Sequence, residues 1–295
     1  MKFSKIRWTG FTWNFFTGCD EISPGCDHCY ARVIAENPRF ANAFPNGFAP
    51  TFKPQKLGDP FKVKEPHFCF VNSMSDFMHK DFTDDMRDRA MEVMLECDRH
   101  VYQILTKRAQ ALPRYVTGWL ARKGLTSVPK HIWFGVSIES DTYRFRADLL
   151  REVPGIRFIS AEPLIAPLSS LNLEGIHWLI VGGESGNGSN NFRPMSPGWA
   201  VELLMKARAT FFVDPLLHAM VAPAYYFKQS SGHRTETGIE LIGERIEEYP
   251  FYPNHLTREE YFAIQTTLAE KAAERKSARA ARISETIKQK GLIDQ

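Results

Sequence analysis

The sequence has no apolar run of about 18 residues, so no bilayer-spanning helix is expected. Its opening, Met1-Lys2-Phe3-Ser4-Lys5-Ile6-Arg7-Trp8, has no apolar stretch of signal-peptide length. Secretion is therefore not expected, and a cytoplasmic location is. Charge of one sign is scarce: 37 Lys and Arg against 34 Asp and Glu leave a formal net charge of +3. That balance selects no partner by itself. There is no Gly-rich phosphate loop of the Walker type, no Gly-x-Ser-x-Gly elbow and no His-Glu-x-x-His pair, which removes the commonest NTPase, serine-hydrolase and zinc-protease signatures. Cysteine is sparse and odd in number, five in all, so a disulfide framework accounts for it poorly. What remains is globular: 295 residues, 43% hydrophobic and 24% charged, too apolar for disorder and long enough to bury a core.

The cysteines are unevenly placed. Cys19, Cys26 and Cys29 fall within eleven residues, while Cys69 and Cys97 stand apart. Ser23-Pro24-Gly25 is a turn signal that folds Cys19 back towards the Cys26-x2-Cys29 pair. Gly18 and Gly25 leave backbone N–H groups free to bond inorganic sulfide. Three thiolates suit two kinds of centre. A structural zinc site needs a fourth ligand from Cys69, Cys97 or a histidine. An iron–sulfur cluster on three cysteines keeps one iron open to a small molecule.

Strand-like and helix-like runs alternate about seven times. Strands are expected at Phe11–Trp13, His67–Asn72, Val101–Leu105, His131–Ser137, Ile156–Ser160, Ile176–Val181 and Ala224–Phe227. Helices are expected from Tyr30 to about Asn37, over Thr83–Asp98, through Leu112–Leu120, over Asp141–Arg151 and after Ser196-Pro197. Thr83 is a candidate N-cap for the second of these, with Met86, Ala90, Val93, Met94 and Cys97 on one stripe. The alternation implies an α/β fold with a parallel sheet, read as a partial or complete (β/α) TIM-type barrel over residues 1–256. A C-terminal helical extension is expected over 257–295. Its residues 271–290 hold seven basic side chains against two acidic ones, which suits either a solvated helix face or a nucleic-acid contact. Polar tips follow the strands: Ser73 to Asp76, Thr106 to Arg108, Ser137 to Glu139, Ser160 to Glu162, Gly182 to Gly186, and Lys228-Gln229. In barrels such tips gather at one mouth.

These residues carry a resemblance. Trp13-Asn14, Thr17-Gly18-Cys19, Ser23-Pro24-Gly25-Cys26, His28-Cys29-Tyr30-Ala31, Ser73-Met74-Ser75-Asp76 and Leu105-Thr106-Lys107-Arg108 are one part of it. Ile132 to Ser137, Ser160-Ala161-Glu162-Pro163-Leu164, Gly182 to Gly186 and Phe227-Lys228-Gln229 are the other. Together, over about residues 8–232, they resemble the three-cysteine-motif proteins common in bacteriophages and bacteria. That family is similar to radical S-adenosylmethionine (SAM) enzymes, and its motif style is similar to spore photoproduct lyase. The resemblance implies a [4Fe–4S] cluster on Cys19, Cys26 and Cys29, with SAM on the open iron and hydrogen abstraction from a substrate. It implies an electron donor of the flavodoxin or ferredoxin type and a separate three-cysteine-motif partner protein. The substrate is unknown; a nucleic acid or nucleotide is the class favoured.

The cofactor-binding candidates that follow are His28, Ser73, Ser75, Asp76, Ser137, Glu139, Gly182, Gly183 and Glu184, with Asp76 expected at the SAM ammonium and His28 at the adenine. Lys107, Glu162 and Lys228 are candidates for the catalytic group. Two features depart from the superfamily. The first cysteine gap is six residues rather than three, and Gly182-Gly183-Glu184 lies 153 residues beyond Cys29, not after the second strand. A non-enzymatic alternative stands beside this reading: a zinc-stabilised nucleic-acid-binding or assembly protein.

Overall fold

A computed structural model describes residues 4–186 and 188–289. The chain divides into two compact units, Met1–Asn254 and His255–Gln295. The first unit is mixed α/β. Its sheet strands are β1 (Phe11–Trp13), β4 (Phe68–Val71), β5 (Val101–Thr106), β6 (Ile132–Ser137), β7 (Ile156–Ala161), β8 (Trp178–Gly182) and β11 (Ala224–Gln229). They pair in the order β1-β4-β5-β6-β7-β8-β11, every pair parallel. The sheet curls into a half-barrel whose edges are β1 and β11. Short antiparallel pairs flank it: β2 (Phe16–Thr17) with β3 (Thr51–Phe52), and β9 (Phe212–Asp214) with β10 (Ala219–Val221).

Helices α1 (Tyr30–Ala35), α2 (Asp84–Glu96), α3 (Leu112–Lys123), α4 (Phe145–Arg151) and α5 (Pro197–Ala209) supply most crossovers. Between β7 and β8 the chain returns without one, on a segment that buries Leu164, Leu168, Leu171 and Leu173. The helix ends follow local chemistry. Thr83 caps α2, its Oγ1 accepting from the Met86 N–H at 3.3 Å, with Asp84 and Asp85 in the first turn. α3 closes on Gly124 in the left-handed region (φ 65°). The second unit is carried by α6 (Arg258–Gln289). Among the described residues, no helix is long and apolar enough to cross a membrane.

Strand side chains alternate between two faces, and here both are buried. One face, with Cys69, Val71, Tyr102, Ile104, Phe134, Ile159, Leu179, Val181, Tyr225 and Phe227, packs against the helices in a single core. The concave face is aromatic at its lower end. Trp178 lies 6.0 Å from Trp8, 5.7 Å from Trp133, 5.7 Å from Phe158 and 6.1 Å from Tyr226, ring centre to ring centre. Towards the C-terminal ends the same face turns small or polar, through Ser137, Ser160, Gly182 and Lys228. An aromatic plug thus fills the bottom of the half-barrel and leaves its upper end as a mouth.

The plug predicts a stability effect. Trp178→Ala removes a fully buried ring surrounded by those four aromatic neighbours and should cost about 3–5 kcal/mol in urea unfolding. Met205→Ala, on the exposed face of α5, should cost less than about 0.5 kcal/mol.

Candidate functional site

The mouth is covered by the loop that carries Cys19, Cys26 and Cys29. All three thiols are free and half-buried. Gly18 opens the loop at φ 82°, and a Cβ there would lie 2.2 Å from the Ala49 carbonyl oxygen, so only glycine passes. The β4 tip grips both ends of the loop. Gly18 N–H donates to Met74 O at 2.8 Å, and Ser75 Oγ donates to Gly18 O at 2.6 Å. Tyr30 Oη, one residue past Cys29, donates to Ser73 O at 2.5 Å. Asn14, at the end of β1, steadies this tip by accepting from Met74 N–H at 3.0 Å and Ser73 Oγ at 3.2 Å.

Three buried carboxylates tie the other strand tips to the loop or to each other. Asp76, after β4, accepts from Thr106 Oγ1 at 2.5 Å, Met78 N–H at 2.9 Å and Lys107 N–H at 2.9 Å. Arg108 Nη1 lies 3.4 Å from Asp76 and donates to Cys19 Sγ at 3.4 Å, while its Nη2 donates to Asp20 O at 3.1 Å. Glu139, after β6, has no exposed side-chain surface. It accepts from Arg146 Nη1 at 2.8 Å and from Ser23 Oγ, in the turn between the first two cysteines. Gly25 sits so close that a Cβ would meet Glu139 Cγ at 2.5 Å. Glu184, after β8, lies 2.9 Å from His28 Nδ1 and accepts from Arg193 N–H at 2.8 Å and Nε at 3.0 Å. Arg193 also donates to Pro24 O at 2.8 Å and Asp27 at 3.1 Å.

The remaining candidates sit around the same mouth. Lys228 Nζ, on β11, pairs with Glu162 Oε1 at 2.9 Å, and Ser160 Oγ donates to Glu162 at 3.1 Å. Lys107 Nζ stands 3.9 Å from Glu139. Ser137 contributes its carbonyl, which accepts from Arg146 at 2.7 Å. Gly182 O accepts from Leu164 N–H, and Gly183 N–H donates to Gln229 O, both at 2.9 Å. Cys69 and Cys97 are absent from this gathering: both are fully buried, and burial with the nearby Cys97 pushes the Cys69 thiol up.

The electrostatics follow from burial and pairing. Burial and the neighbouring Asp76 carboxylate push the Cys19 thiol up to about 11, against the pull of Arg108. For Glu184, burial works against ionisation. The hydrogen bonds from Arg193 and His28 outweigh it and hold the carboxyl below its ordinary value. Among the described residues, no three His, Cys, Asp or Glu side chains are gathered into a preformed single-ion site.

Several residues here escape sequence reading. Arg193 lies in an irregular loop with no motif around it. Arg146 reads as an ordinary helix cation, although it stands in the first turn of α4 and reaches back to Glu139 and the Ser137 carbonyl. A family model described as a protein of unknown function, DUF5131, matches residues 3–279. The chain belongs to the DUF5131 family. Neither a curated protein nor a solved structure matches it. The DUF5131 match takes in every strand tip of the mouth and the whole cysteine loop.

The Glu184 pairing gives a pH prediction. A carboxyl with a depressed folded value contributes stability that is complete at neutral pH and is lost as pH falls through that value. The stability gap between wild type and Glu184→Gln, from urea midpoints, should narrow as pH drops below the ordinary value of 4.5. A gap that stays constant into acid would contradict this ion-pair account.

Proposed function

We propose that this chain is a radical SAM-like enzyme in which Cys19, Cys26 and Cys29 hold a [4Fe–4S] cluster over the mouth of the half-barrel. The observation that carries the reading is the placement of the three-cysteine loop. It is bonded to the tips after β4, β5, β6 and β8, where the sheet's polar side chains converge. In parallel α/β sheets, chemistry gathers at the C-terminal strand ends.

The donor set fits such a group. Three thiols without a disulfide lie on one short loop. Cys19 and Cys29 rest on the same apolar patch of Ala31, Phe48 and Met74. Cys26 follows on the same loop, its N–H donating to Ser23 O at 2.8 Å in the turn that Glu139 fastens, and the Arg108 guanidinium is in place to hydrogen-bond an anionic sulfur. When bound, the cluster supplies the electron that cleaves SAM and so generates the radical that takes hydrogen from a substrate.

The chain's own groups divide the remaining work. Ser73, Ser75 and Asp76 hold the loop and lock the β4 tip to the β5 tip, so in this geometry they position the cysteines. Glu139 and Glu184 fasten the middle of the loop. Glu162, Lys228 and Lys107 are the charged side chains left at the mouth for a zwitterionic ligand such as the amino-acid end of SAM. The buried aromatic plug beneath keeps water from the lower side. The substrate, the electron donor of flavodoxin or ferredoxin type and a three-cysteine-motif partner protein belong to the same proposal.

The zinc alternative calls for a fourth ligand; Cys69 and Cys97 are buried in the core, which leaves a histidine to supply it. Reconstitution under anaerobic conditions should give a brown protein with about four irons and four sulfides per chain. Its reduced EPR signal should change on adding SAM and vanish in Cys29→Ala. A colourless protein that takes up one zinc instead would overturn the reading.

A further inference from the structure

We infer that a second cleft, beside the mouth, binds a phosphate ester. The cleft measures about 540 Å3 and lies between the β4 tip, the first turn of α2 and the start of α3. That volume is in the range of small-molecule sites and exceeds what a bare inorganic anion fills. Its lining carries four cations, Lys80, Arg87, Arg108 and Arg114, against one carboxylate, Asp84.

The four cations are not equivalent. Arg87 is buried, and its donors are committed to Phe77 O, His79 O and Asp84. It therefore fixes the wall and holds Asp84 in place. Lys80 and Arg114 are different: each side chain is 75% exposed. Their nearest carboxylates, Asp20 and Asp84, stand 3.7 and 3.6 Å away, too far for a hydrogen bond. Both can turn to a ligand at small cost, since loose exposed pairs contribute little. Arg108 reaches from the cleft wall to Cys19 Sγ, so a ligand here would lie beside the cysteine loop.

Guanidinium and ammonium groups spread around a concave volume match the several acceptor oxygens of a phosphate ester. Met78 and Phe82 add apolar lining for the rest of such a molecule. A free nucleotide and a single-stranded nucleic acid present the same phosphate-ester chemistry. The inference needs no iron and stands apart from the cluster reading.

The test is fluorescence anisotropy with the full-length chain, using fluorescein-labelled oligothymidylate and fluorescein-labelled AMP as probes, each titrated across a salt series. The variant is Lys80→Glu together with Arg114→Glu. Position 114 is in the first turn of α3, where an acidic residue favours the helix. The oligonucleotide should bind the variant at least about tenfold more weakly, and the log–log salt slope should flatten by about 1.4, the loss of two phosphate contacts on a single strand. Lys130→Glu, exposed before β6 at the opposite end of the sheet, should change neither. Loss confined to the oligonucleotide assigns a strand; a matching loss for AMP assigns a nucleotide. Wild type that binds neither probe, or a double variant that binds like wild type, would overturn the inference. Reading binding with and without reconstituted iron keeps its failure distinct from failure of the cluster reading.

Discussion

Three carboxyl groups at the ends of parallel strands, Asp76, Glu139 and Glu184, have to be satisfied out of bulk water, and the arrangement of the mouth answers to that need. An unpaired buried carboxylate costs several kcal/mol, so each must find donors. Asp76 finds them in the neighbouring strand tip, through Thr106 and the Lys107 amide. Glu139 and Glu184 find part of theirs in the cysteine loop, through Ser23 and His28, and the rest in Arg146 and Arg193. The loop is therefore no independent appendage. Removing it would strip acceptor groups of their partners at two strand ends at once.

The sheet explains why the polar groups meet there. Parallel pairing sends every strand end in the same direction, and curling brings those ends towards a common axis. Large rings fill the lower concave face, where Trp178 touches aromatic neighbours on several strands. Small residues follow on the same face, at Ser137, Ser160 and Gly182. Size alone thus divides the half-barrel into a filled base and an upper end that can receive a ligand.

Much of this was legible in the sequence because it rests on local signals. Strand positions follow apolar runs, α2 follows its Thr83 cap and periodic stripe, and the alternation of elements implies a parallel sheet. The polar tips were legible as tips, since each begins where an apolar run ends. Which protein groups each tip bonds was not. Ser73, Ser75 and Asp76 read as ligand-binding oxygens; the bonds they make within the chain, to the cysteine loop and the neighbouring tips, carry no local signal. Polar residue types state what a group can bond, whereas its partner is set by contacts between distant segments. Arg193 shows the same limit: it meets the cysteine loop from more than 160 residues away. The extent of closure was also out of reach, because no local pattern says whether β1 and β11 meet.

The central claim is that the cysteine loop, in the position described, is the seat of an iron cluster. Anomalous diffraction at the iron edge, from crystals of the anaerobically reconstituted chain, tests it most directly. The account predicts one compact iron peak bounded by the sulfurs of Cys19, Cys26 and Cys29, above the tips of β4, β5 and β6. Iron scattered over other sites, or those three sulfurs closed around a single zinc, would contradict it.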